Sequence, residues 1–242
     1  RNLSTETDTE EETQQSETVT EMETKQQETA QSQMTQLLEE KISTYDGIWS
    51  VALKTKGMKV QETCDIYSSS HGRMMKSASL IKLFVMEKIY EQIGQNNLQE
   101  DQMGSLIQSM ITVSDNTACN TLVTDFLGQG NAQEGMAQVT RYAQQQGYSD
   151  TSMGRLMLSY QTEGDNYTSA RDCVSLLEKI YHKTCVNAEA SEKMLSFLKN
   201  QERRNKIPFG LQTRLTGAQE WVANKTGEIA QAEVPEKGMV EG

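Results

Sequence analysis

The stretch "SASLIKLFVM", residues 77–86, places a serine and a lysine three residues apart at the start of an apolar segment. The aliphatic spacing continues to Gly94 and predicts a helix that ends there. Residues i and i+3 share a helix face, so we expect Lys82 one turn below Ser79. A serine becomes nucleophilic when a neighbour takes its proton, and a desolvated lysine can do so. Alone, the pattern is more typical of a helix cap beside a snorkelling lysine than of a nucleophile and its base.

The segments around this helix predict an α+β fold. "MTQLLEEKISTY" from Met34 has helical spacing, while "GIWSVALKT" and "KVQETCDIYSS" indicate two strands of a hairpin. Further helices are predicted near 100–114, 116–128, 135–147, 168–184 and 190–201. A loop at 148–167 separates the third of these helices from the fourth. "EWVANKTGEIA" indicates a strand, and "KGMVEG" the start of another. We therefore expect strands from both chain ends in one antiparallel sheet, with a helical subdomain at about 77–205.

The acidic charge of the chain is concentrated near its N-terminus. The formal net charge is −11, and residues 1–40 hold 11 acidic and 2 basic residues. Residues 1–33 are mostly Glu, Thr, Gln and Ser, which predicts a disordered stalk, either a spacer from a membrane or wall or a solubilising tail. The domain is then expected over 34–242. No basic stripe is present, which argues against a nucleic-acid partner.

Cysteine and histidine usage makes a metal centre improbable. The four cysteines have no CxxC spacing, and the chain has only two histidines. Two disulfides in an exported protein and free buried cysteines are both open. No metal or other cofactor is expected. No run of about 18 apolar residues is present, so no bilayer-spanning helix is expected.

Two triplets follow the Ser-x-x-Lys pair in order. They are "SDN" at Ser114, Asp115 and Asn116, and "KTG" at Lys225, Thr226 and Gly227. Each triplet is expected by chance in roughly one chain of this length in twenty. A second Ser-x-x-Lys, at Ser196, lies after "SDN" and is out of order. With this order and spacing, residues 36–242 resemble class A β-lactamases and the related penicillin-binding proteins.

The resemblance implies a role for each motif residue. Ser79 attacks the lactam carbonyl, Lys82 accepts its proton, and Ser114 relays a proton to the leaving nitrogen. Asn116 holds the amide of the substrate side chain, and Asp115 braces its loop. Lys225 and Thr226 bind the substrate carboxylate. Gly227 allows ligand approach, and the backbone N–H groups of Ser79 and Glu228 form the oxyanion hole.

The sequence departs from the class A pattern in its Ω-loop. The family carries an Arg-x-Glu arrangement there, and its Glu positions the deacylating water, whereas this chain reads "GRLMLSYQTEGDNYTSARD". If Arg155 and Asp165 mark the ends of the loop, the loop is short and the expected Glu is missing. Glu163 is the acidic candidate that remains, more consistent with an exposed residue than with a base. Deacylation is therefore expected to be slow.

Three hypotheses follow for the function. The first is a serine β-lactam hydrolase that forms an acyl-enzyme on Ser79. The second is a D-alanyl-D-alanine peptidase acting on cell-wall peptides, and the third a sensor of β-lactams or muropeptides with little turnover. Each implies an exported protein of the cell envelope, although no signal or anchor segment is visible. The chain stops fifteen residues after "KTG", which predicts an open sheet edge able to pair with another chain.

Overall fold

A computed structural model describes residues 33, 35–56, 61–67, 74–159, 164–212 and 222–229. The predicted stalk lies outside the described residues except for its last residue. The chain is divided into two compact units, residues 1–70 and 71–242. Each unit is described by itself below.

The first unit contains the predicted helix and hairpin. Helix α1 covers residues 35–42, and strands β1 (Ser50–Lys56) and β2 (Gln61–Tyr67) pair antiparallel. Ser50 lies opposite Tyr67 in the register of this hairpin. Ile42 of α1 is buried and packs with Leu38, Val51 and Leu53. The helix and the hairpin predicted from the sequence are both confirmed.

The second unit is mainly helical and contains a small antiparallel sheet. Its helices are α2 (Ile81–Gly94), α3 (Glu100–Thr112), α4 (Asn116–Thr121, extended by a wider π-helical turn at Leu122–Leu127), α5 (Ala132–Gln145), α6 (Ala170–Tyr181), α7 (Ala188–Lys199) and α8 (Ile207–Gln212). Its strands are β3 (Met74–Lys76), β4 (Ser152–Met153) and β5 (Asn166–Ser169), in the order β3–β5–β4.

Helix α2 forms the centre of the second unit. Every residue from Ile81 to Tyr90 is buried, including Lys82, Glu87 and Lys88. A helix that is buried on all sides needs neighbours all round, and α3, α5, α6 and α7 supply them. The buried side chains of these elements form one continuous apolar core. The core thus fixes the helix that begins just after Ser79.

The α+β class predicted from the sequence is confirmed, with three differences. Among the described residues β1 and β2 pair only with each other, so the single sheet expected from both chain ends is not observed there. The segment predicted as a loop at 148–167 contains β4 and the start of β5, short strands that sequence periodicity does not reveal because each has few residues. Residues 222–229 have no regular secondary structure, so the strand predicted across "EWVANKTGEIA" is absent from the described part of that segment. The "KGMVEG" segment lies outside the described residues.

The described cysteines are not cross-linked. Cys119, Cys173 and Cys185 are free and buried, which excludes the alternative of two disulfides. The described residues contain no group of three or more His, Cys, Asp or Glu side chains suited to a metal ion. None of their helices is long and apolar enough to cross a membrane.

Candidate active site

Ser79 lies in a tight 3-10 turn (Ala78–Leu80) rather than in the first turn of the α-helix predicted from the sequence. The turn is closed by the Leu80 N–H, which donates to the Ser77 carbonyl at 2.9 Å. Ala78 has a φ of 46°, in the left-handed region that costs energy for a residue with a Cβ. Such strain persists where the surroundings fix the backbone, here between β3 and the buried α2. Ser79 is thereby presented half-buried at the end of the core helix.

Lys82 joins the first two motifs. Its Nζ lies 3.2 Å from Ser79 Oγ, 2.7 Å from the Ser114 carbonyl oxygen, 3.2 Å from Ser114 Oγ and 2.7 Å from Asn116 Oδ1. The predicted placement of Lys82 one turn below Ser79 agrees with the first distance. A lysine with no solvent exposure is thus surrounded by oxygen atoms from both motifs.

Ser114 lies between the two motif lysines. Its φ is 61°, and this left-handed turn after α3 places both its carbonyl and its hydroxyl at Lys82. Lys225 Nζ donates to Ser114 Oγ at 2.8 Å and to the Thr226 carbonyl at 2.6 Å. The Ser114 hydroxyl therefore connects the Lys82 amine to the Lys225 amine.

Asp115 and Asn116 begin helix α4. The Asp115 carboxylate caps this helix by accepting from the Ala118 N–H at 3.0 Å, which agrees with the bracing role expected of it. One turn after Asn116, the Asn120 side chain forms two hydrogen bonds with the Met157 backbone. Asn120 Nδ2 donates to the Met157 carbonyl at 3.0 Å, and the Met157 N–H donates to Asn120 Oδ1 at 2.8 Å. Because residues i and i+4 share a helix face, the buried Met157 is fixed beside the Asn116 end of the site.

The "KTG" segment packs directly on the Ser79 turn. A Cβ at Gly227 would lie 2.9 Å from Leu80 Cγ and from the Ser77 carbonyl oxygen. Glycine is required here for contact with the Ser79 turn, while ligand access at Gly227 stays a prediction. Thr226 is buried, and its Oγ1 has no hydrogen-bond partner among the described residues. Glu228 is exposed and pairs with Lys206 at 3.1 Å.

Both lysines are easier to deprotonate than lysines in water. Burial is the main cause that lowers the pKa of Lys82 to about 8, and the Arg203 charge acts in the same direction. Burial also lowers the pKa of Lys225 to about 7, followed by the charges of Lys82 and Arg203. Burial raises the pKa of the neighbouring Cys119 thiol to about 12, so this thiol stays neutral. A neutral Lys82 is thus available near physiological pH.

The predicted loop ends meet in space. Arg155 Nε lies 2.9 Å from Asp165 Oδ1, and Lys76 Nζ lies 3.0 Å from Asp165 Oδ2. The Arg155–Asp165 ion pair joins the two residues that the sequence analysis took as the ends of the loop. Glu163 lies outside the described residues, so its assignment as a base stays a prediction.

Comparison with known proteins identifies the family. The model of the beta-lactamase enzyme family matches residues 102–235, more than half of the chain. The chain belongs to the beta-lactamase enzyme family. No curated protein matches the sequence.

Solved structures of this family share the fold. A β-lactamase from Sphaerobacter thermophilus is 18% identical, with a TM-score of 0.51 over 67% of this chain and 66% of that chain. PBP-A is 16% identical, with a TM-score of 0.59 over 74% and 72%. The putative class A β-lactamase PenP from Rhodopseudomonas palustris is 16% identical, with a TM-score of 0.53 over 73% of each. A variant of PBP-A with a Leu-to-Glu replacement has been solved as an acyl-enzyme complex with penicillin G.

Within this β-lactamase fold, the structure adds residues that the motifs did not indicate. Asn120 has a sequence signal, since it lies four residues after Asn116 on the same face of α4. No sequence signal points to Arg203 or Lys206, because both lie in the irregular segment between α7 and α8. Only folding brings that segment to the "KTG" residues. Cys119 is visible in the sequence only as an apolar helix position.

Proposed function

We propose that the protein is a serine acyl-transfer enzyme that opens β-lactams through an acyl-enzyme on Ser79 and releases the product slowly. The observation that carries the proposal is the position of Lys82 Nζ, which contacts Ser79 Oγ, Ser114 Oγ and Asn116 Oδ1 together. Family membership supports the same class of chemistry.

The hydrogen bonds of Lys82 indicate how it acts as a base. A neutral amine has two N–H bonds and one lone pair. The Ser114 carbonyl and Asn116 Oδ1 accept only, and at 2.7 Å each they take the two N–H bonds. The lone pair is left for a hydroxyl proton, and Ser79 supplies it.

Acylation then balances its protons within the described network. Ser79 Oγ bonds to the lactam carbonyl carbon while its proton passes to Lys82. The Ser114 hydroxyl gives its proton to the ring nitrogen as the C–N bond breaks, and it recovers a proton from Lys82, 3.2 Å away. The backbone N–H groups of Ser79 and Glu228 are the proposed oxyanion hole. Lys82 ends the half-reaction neutral.

Substrate binding is assigned to the remaining motif residues. The unpartnered Thr226 hydroxyl and the Lys225 amine are proposed to bind the substrate carboxylate, because a buried hydroxyl without a partner is costly unless a ligand satisfies it. Asn116 is proposed to donate from its amide nitrogen to the side-chain carbonyl of the substrate. Its oxygen is already engaged by Lys82.

Slow deacylation follows from the side chain at position 157. The backbone that Asn120 holds next to the site carries an apolar methionine, which cannot take a proton from water. A general base usually contributes about 10² to 10⁴ in rate. The acyl-enzyme is therefore expected to persist.

Time-resolved mass spectrometry of the intact protein with benzylpenicillin tests the proposal. We expect one equivalent of adduct to form rapidly and to decay over many minutes. No adduct on folded protein would contradict the proposal. Fast turnover of nitrocefin without accumulated adduct would contradict slow deacylation.

A second candidate is a D-alanyl-D-alanine peptidase, which the apolar Met157 and the likeness to PBP-A favour. Release of D-alanine from a cell-wall peptide at a rate above that of penicillin turnover would establish it. An adduct that never decays would favour the sensor. In all three cases we propose an exported location, and cell fractionation tests it.

A further inference from the structure

Asn166 is a buried polar residue that the proposed reaction does not use. It is the first residue of β5, and only 2% of it is exposed. A buried amide is costly unless its polar atoms have hydrogen-bond partners. The partners of Asn166 lie on two segments, the one that leads to Ser79 and the one that carries Met157.

The side-chain oxygen of Asn166 holds the chain as it leaves the sheet. Asn166 Oδ1 accepts from the Gly154 N–H at 3.0 Å and from the Arg155 N–H at 3.1 Å. Both N–H groups follow β4 directly, and β4 pairs antiparallel with β5. A Cβ at Gly154 would lie 2.6 Å from the Asp165 carbonyl oxygen, so the two segments are in close contact. The Asn166 amide thus fixes the backbone two residues before Met157.

The side-chain nitrogen of Asn166 contacts Met157 itself. Asn166 Nδ2 donates to Met157 Sδ at 3.9 Å, a weak hydrogen bond to a thioether. Met157 is buried and belongs to the apolar core of the second unit. Because Asn120 holds the Met157 backbone from α4, the side chain of Met157 is held by Asn166 and its backbone by Asn120.

The backbone of Asn166 supports the nucleophile turn. The Asn166 carbonyl accepts from the Ser77 N–H at 2.8 Å, and the Ser77 carbonyl closes the 3-10 turn that contains Ser79. This support uses main-chain atoms only, so it remains when the Asn166 side chain is replaced. A substitution at Asn166 therefore separates the Met157 segment from the Ser79 turn.

The ion pairs of Asp165 keep the segment closed without the Asn166 side chain. Asp165 pairs with Arg155 and with Lys76, and it also accepts from the Asn166 N–H at 2.8 Å. None of these bonds involves the Asn166 amide. Loss of that amide is therefore expected to loosen the backbone near Met157 and to leave the fold intact.

An apolar side chain at position 157 affects deacylation in two ways. Met157 cannot take a proton from water, and a buried methionine packed beside the site also excludes water from it. The second effect depends on where the methionine is held, because a displaced side chain leaves room for water.

We propose that Asn166 is a positioning residue that holds Met157 at the acyl-enzyme and so prolongs the lifetime of the ester by keeping water away. This inference rests on the proposed function. It adds a residue from outside the three motifs that acts on the second half-reaction.

The test measures the acylation rate constant and the lifetime of the penicilloyl adduct separately, by time-resolved mass spectrometry of the intact protein with benzylpenicillin. Asn166→Ala, Met157→Ala and the double variant form a cycle, with unfolding midpoints to verify folding. If Asn166→Ala does not fold, Asn166→Ser takes its place, because it keeps a polar atom at this position. Asn187→Ala is the matched control, since the Asn187 side chain also accepts from a backbone N–H, at 2.9 Å on α7.

We expect Asn166→Ala to shorten the lifetime of the adduct about 10-fold, because a displacement of about 1 Å can change a rate about 10²-fold. Acylation should change little, since the carbonyl at position 166 remains. Met157→Ala should shorten the lifetime as well, and the double variant should add no further effect because Asn166 acts through Met157. Asn187→Ala should change neither quantity.

Three outcomes would overturn the inference. They are an unchanged lifetime in the folded variant at position 166, an equal loss of acylation and lifetime, and additive effects of the two changes in the double variant. If the unaltered protein forms no adduct, the proposed function fails and this inference with it. An adduct whose lifetime the variants leave unchanged overturns this inference alone, so the two failures are distinguishable.

Discussion

The side chains of Lys82 and Asn116 are hydrogen-bonded across 34 residues of sequence, with 2.7 Å between Nζ and Oδ1. This contact connects the start of α2 to the start of α4. It also orients the Lys82 amine so that its lone pair is left for a hydroxyl group. The active-site geometry therefore depends on the packing of two helix N-termini as much as on the motif residues themselves.

Acylation should depend on the protonation of Lys82. Since burial lowers its pKa to about 8, the neutral base form grows as pH rises through that value. We expect the acylation rate with benzylpenicillin methyl ester, which avoids carboxylate binding, to increase from pH 6 to pH 9 and then level off. Lys82→Ala should reduce acylation at least 10³-fold at every pH, in the range of a lost general base. A flat pH profile in the unaltered protein would contradict the role of Lys82.

Gly227→Ala should disturb the Ser79 turn. The added Cβ meets the Ser77 carbonyl and Leu80 at 2.9 Å, and forcing a methyl group into such a space costs about 1 to 3 kcal/mol. We expect a lower free energy of unfolding and slower acylation together. Gly104→Ala is the control, because Gly104 lies in α3 with open space around it, and this change should stabilise by about 0.5 to 1 kcal/mol. Equal effects of the two changes in urea unfolding would contradict the packing described.

Glu87 should make stability depend on pH. Burial raises its pKa to about 7, despite opposing effects of Lys179, Cys185 and Tyr148. A carboxyl with a raised folded pKa stabilises most below its unfolded pKa, and stability falls as pH rises toward the folded value. The expected loss between pH 4.5 and 7 is about 3 kcal/mol.

Glu87→Gln should remove that loss, because the amide mimics the protonated acid. The measurement is the difference in unfolding free energy between this variant and the unaltered protein at several pH values. Glu134→Gln is the control, since Glu134 is an exposed surface residue. If Glu87→Gln leaves the pH dependence unchanged, Glu87 is ionised in the folded protein and the prediction is wrong.

Met157→Glu should speed deacylation. Asn120 fixes the backbone at this position beside the Asn116 end of the site, so a carboxylate there is placed to activate water. We expect the lifetime of the penicilloyl adduct to shorten about 10-fold or more, with acylation little changed. Leu158→Glu is the matched control, because Leu158 is the next residue and half of it is exposed. Equal lifetimes in the two variants would show that position 157 does not face the ester.

The meeting of the motif side chains was predictable from the sequence, because the three motifs occur in a fixed order along the chain. The Ser-x-x-Lys, "SDN" and "KTG" motifs predicted which side chains meet, and the contacts of Lys82 with Ser79, Ser114 and Asn116 agree with that prediction. Long helices such as α2 and α5 were also predictable, because their apolar spacing persists over several turns.

Features that arise from long-range packing were not predictable. The two-residue β4 has too few positions for a periodic signal, and it forms because β5 pairs with it. Gln201 and Asn224 hold the backbone of Arg203, and both hydrogen bonds form only in the folded chain. The 3-10 turn at Ser79 likewise reflects contact with Gly227, 148 positions later in the sequence.

Peptide mapping after a brief exposure to benzylpenicillin tests whether Ser79 is the nucleophile. We expect one penicilloyl group on Ser79 in the unaltered protein and no adduct in a folded Ser79→Ala variant. An adduct on Ser114 or Ser196, or equal labelling of the Ser79→Ala variant, would contradict it.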